Sequence, residues 1–519
     1  MKSNSPNIVF ISADQLGAKW LGCYGSGIAS TPVLDRLAAE GMQFDRCYAT
    51  FPLCAPNRAT FLSGRSAYIH GVVTNNHNYP PGLPTYAHVL GANGYRTGGF
   101  GKFHQQPMHF ETGSDGAAFL GFDESLVTED PKWPWYDWVR REYPEHAEAA
   151  LSMCWEWPTM PYRSRADEAR ELRKVLSAKR KQETGYSKLG PSPLPSEVHD
   201  TTYITSLGLD FMQRHVETHP ETPFMCHISY VDPHDPYDPP QDYANLFDPA
   251  DMPEPLPAEW IEDNIEFLRI AQVNNQFDTV YNKPETMARL RAYFHASLKY
   301  MDDQIHRVVE WLTQSGQWEN TILLFTTDHG EMLGDHGQIT KGAKHYDAGI
   351  RCPLIIAGGP VTAGQNDELI CTLDLFPTFC EWAGIPEEDL PPLEGRSFAP
   401  LCRDQSPNEP RGEVFVGGGP LNTVITHDGW RLTYYPEQKQ GQMFDLANDP
   451  DERHNRYNDP GCAEKKSELL ERLVCAGNSN MFLEHYRNLP VYQDRKFIPA
   501  GSKVKSYVRM YGDAVKGQE

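Results

Sequence analysis

The stretch Asn320–Gly337 reads NTILLFTTDHGEMLGDHG. Its first eight residues are a short apolar run, and the rest switches at once to Asp, His, Gly and Glu. An apolar run of this length, stopped by a turn, suits a strand buried on both faces of a parallel sheet. Four other runs have the same character: NIVFIS (7–12), YRTGGF (95–100), TPFMCHISY (222–230) and CPLIIAG (352–358). Helical patterns lie between them. In TPVLDRLAAEG (31–41), Thr31 stands as N-cap, Pro32 as first helical residue and Gly41 as stop. From Glu285 to Gly316, the residues Phe294, Leu298, Met301, Ile305, Val308 and Leu312 recur at helical spacing. Strand and helix in alternation predict an α/β fold, a doubly wound and mostly parallel sheet flanked by helices.

A chain of 519 residues suits one large α/β domain plus a smaller one. We place the larger domain at 1–405. Residues 122–200 break its pattern, opening with WPWYDW (133–138) and continuing into a charged helix-like stretch, and read as an insertion over one face of the sheet near the site. Residues 406–477 carry GEVFVGGG, NTVITHDGWRLTYYP and GQMFDLANDPDERHN, a small antiparallel sheet in a C-terminal α+β subdomain. The tail 478–519 is basic and aromatic, suited either to homo-oligomerisation or to folding back on its own subunit.

The formal charge of −23 argues against general nucleic-acid binding, so an anionic substrate must be met by a local cluster of cations or metal. Eleven scattered cysteines, without CxxC pairs, read as mostly reduced thiols. No stretch approaches the roughly 18 apolar residues of a membrane span. MKSNSPNIVFISADQ has neither a long apolar segment nor a small-residue cleavage site. These features predict a cytoplasmic protein without membrane partners.

Ligands of open α/β sheets bind outside the carboxyl ends of the strands. The runs here lead into Asp14-Gln15, into Lys102 and His104, into His234, and into Asp328-His329, while Lys341, Lys344 and Arg351 precede CPLII. Each alone has a plain reading, such as a helix cap for Asp14 or a turn closed by Gly330 for Asp328-His329. All of these plain readings would have to hold at one edge of the sheet. Asp14, Gln15, Asp328 and His329 offer oxygen ligands and one nitrogen, which suits Ca²⁺, Mg²⁺ or Mn²⁺ better than zinc. Lys102, His104, His234 and Lys341 would surround an oxyanion. The chemistry implied is transfer of a tetrahedral anionic group.

The stretch FPLCAPNRATFLSGR (51–65) adds a nucleophile. Pro56 favours a first helical turn, so Cys54 would sit at a helix N-terminus, where the dipole favours an anion, with Arg58 one turn along. Neither a buried structural cysteine nor a simple low-pKa thiolate accounts for both neighbours.

Cys54, Pro56, Arg58 and Ser63-Gly64-Arg65 resemble the C-x-P-x-R … T/S-G-R signature of type I sulfatases, within the alkaline phosphatase superfamily. The resemblance extends through NIVFISADQ, GKFH, PHDPY, TTDHGEMLGDHG, YDAGIRCPLII, LDLFPTFCEWAGI and MFDLANDPDERHN. It implies an alkaline-phosphatase-like fold and hydrolysis of a sulfate monoester to alcohol and sulfate. It implies that a formylglycine-generating enzyme oxidises Cys54 to formylglycine, whose hydrate attacks sulfur. Asp14, Gln15, Asp328 and His329, with residue 54, would hold one divalent ion, Ca²⁺ first, with Mn²⁺ or Mg²⁺ as alternatives. Arg58 and Lys102 would hold the nucleophile, and His104 would help deprotonate the hydrate. His234 and Lys341 would bind the sulfate, one of them serving the leaving alcohol.

Several positions depart from the pattern. Many members carry a second Asp at the position of Gln15 and Asn at that of His329. The usual lysine falls on Gly342, so Lys341 is one residue off and Lys344 is the second choice. Phosphonate monoester hydrolases and phosphodiesterases resemble sulfatases closely and use an Asp-Gln plus Asp-His set, but differ at GKFH; they are the alternative reading. PLCAPNRATF, LPTYAHVL and PHDPY resemble choline sulfatases, and similar stretches occur in sugar sulfatases. The WPWYDW rings would cage a quaternary ammonium, stack on a sugar, or pack the insertion.

Overall fold

In a computed structural model of the protein, the apolar runs form the centre of one eight-stranded sheet. The structure describes residues 5–105, 120–129, 132–154, 163–257, 280, 283–342, 344–403, 405, 409–418 and 421–482. The tail beyond 482 lies outside them. The strands are β1 Asn7–Ala13, β2 Met42–Tyr48, β3 Arg96–Gly101, β4 Glu124–Val127, β5 Phe224–Ser229, β6 Thr321–Thr327, β7 Arg351–Ala357 and β8 Gly364–Cys371. Their spatial order is β4-β3-β5-β1-β6-β7-β2-β8.

β1 lies between β5 and β6, parallel to both, with Phe10 opposite His227 and Leu324. Alternate residues of β1 feed two cores. Ile8 and Phe10 join Phe44, Phe61, Tyr86 and Phe379 on one face. Val9 and Ile11 join Phe294, Leu298, Met301 and Ile305 on the other. Both faces are covered, which is why these strands are continuously apolar.

One expectation is corrected. The sequence groups CPLIIAG with the parallel strands, but β7 runs antiparallel to β6 and to β2. Burial on two faces dictates composition and carries no direction. The reversal brings the amino end of β7, and the loop before it, to the carboxyl rim of the other strands. Strands β2, β4 and β8 have no counterpart among the expected runs. β8, at one edge, is exposed through much of its first half, and its sequence GQNDELIC is accordingly polar.

The helix Pro32–Glu40 begins where Thr31 and Pro32 predict. The Thr31 hydroxyl does not cap it. Asp302, from the helix Pro284–Gln314, accepts the Val33 and Leu34 amides at 3.1 and 2.9 Å instead. A neighbouring helix thus satisfies the orphan donors. The expected stripe of that long helix, Phe294 to Leu312, is fully buried.

In the insertion, the helix Trp133–Glu142 buries Trp133, Trp135 and Tyr136 against Leu151, Leu194, Val198 and Tyr203. Trp135 Nε1 donates to the Val198 carbonyl at 2.9 Å, and Trp138 stacks on Tyr203. Of the three readings of WPWYDW, packing is the one these side chains adopt.

Strands β9 Glu413–Gly418, β10 Leu421–Thr426, β11 Trp430–Tyr435 and β12 Gln440–Asp445 form the expected antiparallel sheet. The helix Ala463–Phe482 contributes Leu469 to its core. Among the described residues no helix is long and apolar enough to cross a membrane.

Candidate active site

The rim holds the candidate side chains in one cluster, apart from Lys344 and from Arg351, which pairs with Asp347. Asp14 follows β1, and its amide donates to the Asp232 carbonyl beyond β5. Asp328 and His329 follow β6 beside it. Gly330 lies so close to the next segment that a Cβ there would stand 1.9 Å from the Ala348 carbonyl oxygen, so the glycine serves close approach as well as a turn. Cys54 is the first residue of the helix Cys54–Ser63 and is buried. Its Sγ lies 3.2 Å from His329 Nε2 and 3.8 Å from Asp14 Oδ1.

The two carboxylates are divided between two tasks. Asp14 Oδ2 takes Lys102 Nζ at 2.7 Å and Arg58 Nη2 at 3.1 Å, and Asp328 Oδ2 takes Arg58 Nε at 2.8 Å. Their Oδ1 atoms face the other way. Asp14 Oδ1 lies 3.8 Å and Asp328 Oδ1 3.6 Å from His329 Nε2. One ligand atom each from Asp14, Cys54, Asp328 and His329 falls within 4.8 Å of the others. His329 Nδ1 is 3.1 Å from the Gly330 carbonyl and donates to it, which leaves Nε2 facing Cys54 Sγ and the two Oδ1 atoms. Two carboxylate oxygens and an imidazole nitrogen, with the Gln15 amide beside them, fit a hard or borderline divalent cation.

Arg58 is placed differently from the expected grip on the nucleophile. All five of its N–H groups are used elsewhere, on Asp328, Asp14, the Ala13 and Lys102 carbonyls and Ser229 Oγ. It fixes the carboxylates that face Cys54. Ser229 Oγ is in turn 2.9 Å from Ser12 Oγ, which reaches His227, so the arginine rests on a polar chain between strands.

Lys102 and Lys341 supply ammonium groups, and His104 and His234 supply imidazoles beside them. Lys341 Nζ contacts His234 Nε2 and Gln15 Oε1, and His234 Nε2 is 4.0 Å from Asp14 Oδ1. Lys344 points inward, to the Ile339 carbonyl and Thr340 Oγ1, which leaves Lys341 as the lysine of the site. Burial alone would push the Cys54 thiol up; Lys341, Lys102 and His329 outweigh it and, with His104, hold it well below the ordinary thiol range. Asp14 is likewise lowered, by Lys102, His234 and Arg58 against burial and Cys54. The pocket therefore favours negative charge at residue 54 and in the space before it.

The C-terminal sheet braces this rim. Thr423 Oγ1 meets His345 Nδ1 at 2.8 Å, Gln442 donates to Tyr346 OH at 2.8 Å, and Glu452, paired with Arg431, accepts the Asp347 amide at 2.9 Å. Several contributors had no predicted role: Asn57 on the Asp328 carbonyl, Asn75 on the Ala55 amide, Glu129 on the His104 amide, and Glu331. Asn57 and Glu331 lie inside motifs that the sequence singled out, which was the available signal.

An α/β sheet whose carboxyl rim carries a buried nucleophile, paired carboxylates, two lysines and two histidines defines a hydrolase of tetrahedral anionic esters. The sulfatase family model matches residues 6–385, and the model of the N-sulphoglucosamine sulphohydrolase C-terminal region matches residues 334–478. The chain belongs to the sulfatase family and is a sulfuric ester hydrolase. It is 27% identical to an arylsulfatase of Clostridium perfringens, covering 90% of this chain and 94% of that one. It is 26% identical to a choline-sulfatase of Rhizobium meliloti, covering 89% and 84%. It shares its fold with the phosphonate monoester hydrolase of Agrobacterium radiobacter, with a TM-score of 0.73 at 21% identity over 92% of this chain and 96% of that one.

Proposed function

We propose that this sulfatase cleaves the sulfate monoester of a small organic alcohol or a short sulfated sugar, through formylglycine at position 54 and one divalent ion, Ca²⁺ first. The observation that carries the reading is the division of Asp14 and Asp328, whose Oδ2 atoms are tied to Arg58 and Lys102 while their Oδ1 atoms converge beside Cys54 and His329. Formylglycine would supply the attacking hydroxyl through its hydrate, and the ion would polarise the sulfate.

The chain's own residues do the rest. Lys341 and His234 take the sulfate oxygens, and one of them serves the leaving alcohol. Lys102 compensates charge on residue 54 from the Asp14 side. His104 stands against position 54 to move its proton. Burial of the cluster keeps bulk water from competing.

Phosphonate monoester hydrolysis is the second reading, favoured by the Asp-Gln and Asp-His pairs; Lys102 and His104 favour the sulfate. The test measures kcat/KM for one aryl leaving group carried as sulfate, phosphonate monoester and phosphodiester, with conversion of Cys54 checked by peptide mass. Sulfate should lead, and choline sulfate and sugar sulfates follow as candidates. A phosphonate or diester preference would overturn the reading.

A further inference from the structure

We propose that Glu331 is a positioning residue, whose carboxylate sets the orientation of the Gln15 amide at the divalent site and holds the segments bearing Lys341 and His234 around it. This rests on the proposed divalent site.

Glu331 is fully buried, three residues beyond Asp328. Its Oε1 accepts the backbone amides of Leu333, at 2.9 Å, and Thr340, the residue before Lys341. Its Oε2 accepts from Gln15 Nε2 and, at 3.2 Å, from the hydroxyl of Tyr237, three residues beyond His234. One carboxylate thus touches the loops after β1, β5 and β6 and the segment leading to β7. At its other end the Gln15 amide meets Lys341 Nζ through Oε1. A carboxylate only accepts here and an ammonium only donates, so the two neighbours leave the amide one orientation, with its oxygen on the site side.

The same geometry accounts for glutamine at position 15. A carboxylate there would face Glu331 without a proton between them. The negative charge that a second acid would bring stands instead one hydrogen bond behind the amide.

In Glu331→Gln, the new amide must keep its oxygen on the Leu333 and Thr340 N–H groups. Its NH₂ then meets the Gln15 NH₂, and Gln15 must flip, turning N–H groups toward the ion. In Gln15→Glu with Glu331→Gln the pair is restored in reverse, since the new amide at position 331 donates and the new carboxylate at position 15 accepts. Calcium chloride is titrated calorimetrically into the chelator-treated full chain, and melting temperatures are read in chelator. Glu331→Gln should bind calcium about 10–100-fold more weakly than the parent, as loss of an outer partner does. The double variant should recover most of that loss. In chelator, Gln15→Glu alone should melt well below the parent and the double variant should recover, a coupling that independent sites do not show. Parental calcium affinity in Glu331→Gln, or a double variant no better than the singles, overturns the proposal. No calcium binding by the parent chain overturns the divalent site itself, and the melting cycle in chelator still reads the pairing.

Discussion

Replacing Arg58 with Met removes the one cation among the described residues that touches both Asp14 and Asp328. Lys102 remains for Asp14, but Asp328 Oδ2 loses the only cation the described residues give it. Arg58 is 3% exposed and both carboxylates are fully buried, so water cannot take its place. Removing one partner of such a buried pair costs about 3–5 kcal/mol. With about 2.1 cal/mol/K per residue, a chain of 519 residues unfolds with an entropy of roughly 1.1 kcal/mol/K, so Tm should fall by about 3–5 °C in chelator. A divalent ion on the Oδ1 atoms would re-neutralise both acids, so saturating calcium should shrink the deficit. The assay is differential scanning calorimetry of parent and variant, with chelator and with calcium. A fall of less than about 1 °C in chelator would refute the pairing argument. A deficit that calcium leaves unchanged would refute the placement of the ion on these oxygens. Because the arginine also aims the carboxylates, kcat/KM on an aryl sulfate should drop by about 10-fold or more.

Other outcomes follow from the same site and core. Cys54→Ala should abolish turnover while sulfate still protects the protein thermally; residual parental activity would remove residue 54 from the chemistry. Chelation should silence the enzyme and calcium should restore it, and an enzyme indifferent to exhaustive chelation would exclude a metal role. His295, buried among Trp20, Phe294 and Phe247, is held near about 3 by burial and then by Arg291. Its contribution is whole above the unfolded value of 6.5 and is lost as pH falls toward 3, about 2 kcal/mol of it by pH 5. His295→Phe should flatten the decline of Tm between pH 7 and 5; parallel declines in parent and variant would contradict this. Trp135→Ala should cost about 3–5 kcal/mol and leave KM unchanged, because the ring packs the insertion; a KM effect on choline sulfate would return it to the site.

The five apolar runs and the long helical stripe could be read directly, since two-faced burial leaves unbroken apolar segments and helix burial leaves a 3.6-residue period. The edge strand β8 could not, because half-exposed strands mix polarity. The direction of β7 was equally invisible. The site was legible as a set of residue types at strand exits, and all but Lys344 and Arg351 converge. What each side chain touches was not. Arg58 reads as the partner of Cys54 one turn away, yet its five donors reach Asp328, Asp14, Ser229 and two carbonyls.

The chain by itself determined the class of fold, the residues brought to the rim and the family signature around Cys54, since these follow from local pattern and ordered motifs. Only the tertiary structure decided that Lys341, and not Lys344, enters the site, that Asp302 caps a helix far from it in the chain, and that Glu331 stands behind Gln15. Such choices depend on the direction of a side chain between elements remote in sequence, and they are settled when packing leaves each buried polar atom one partner within reach.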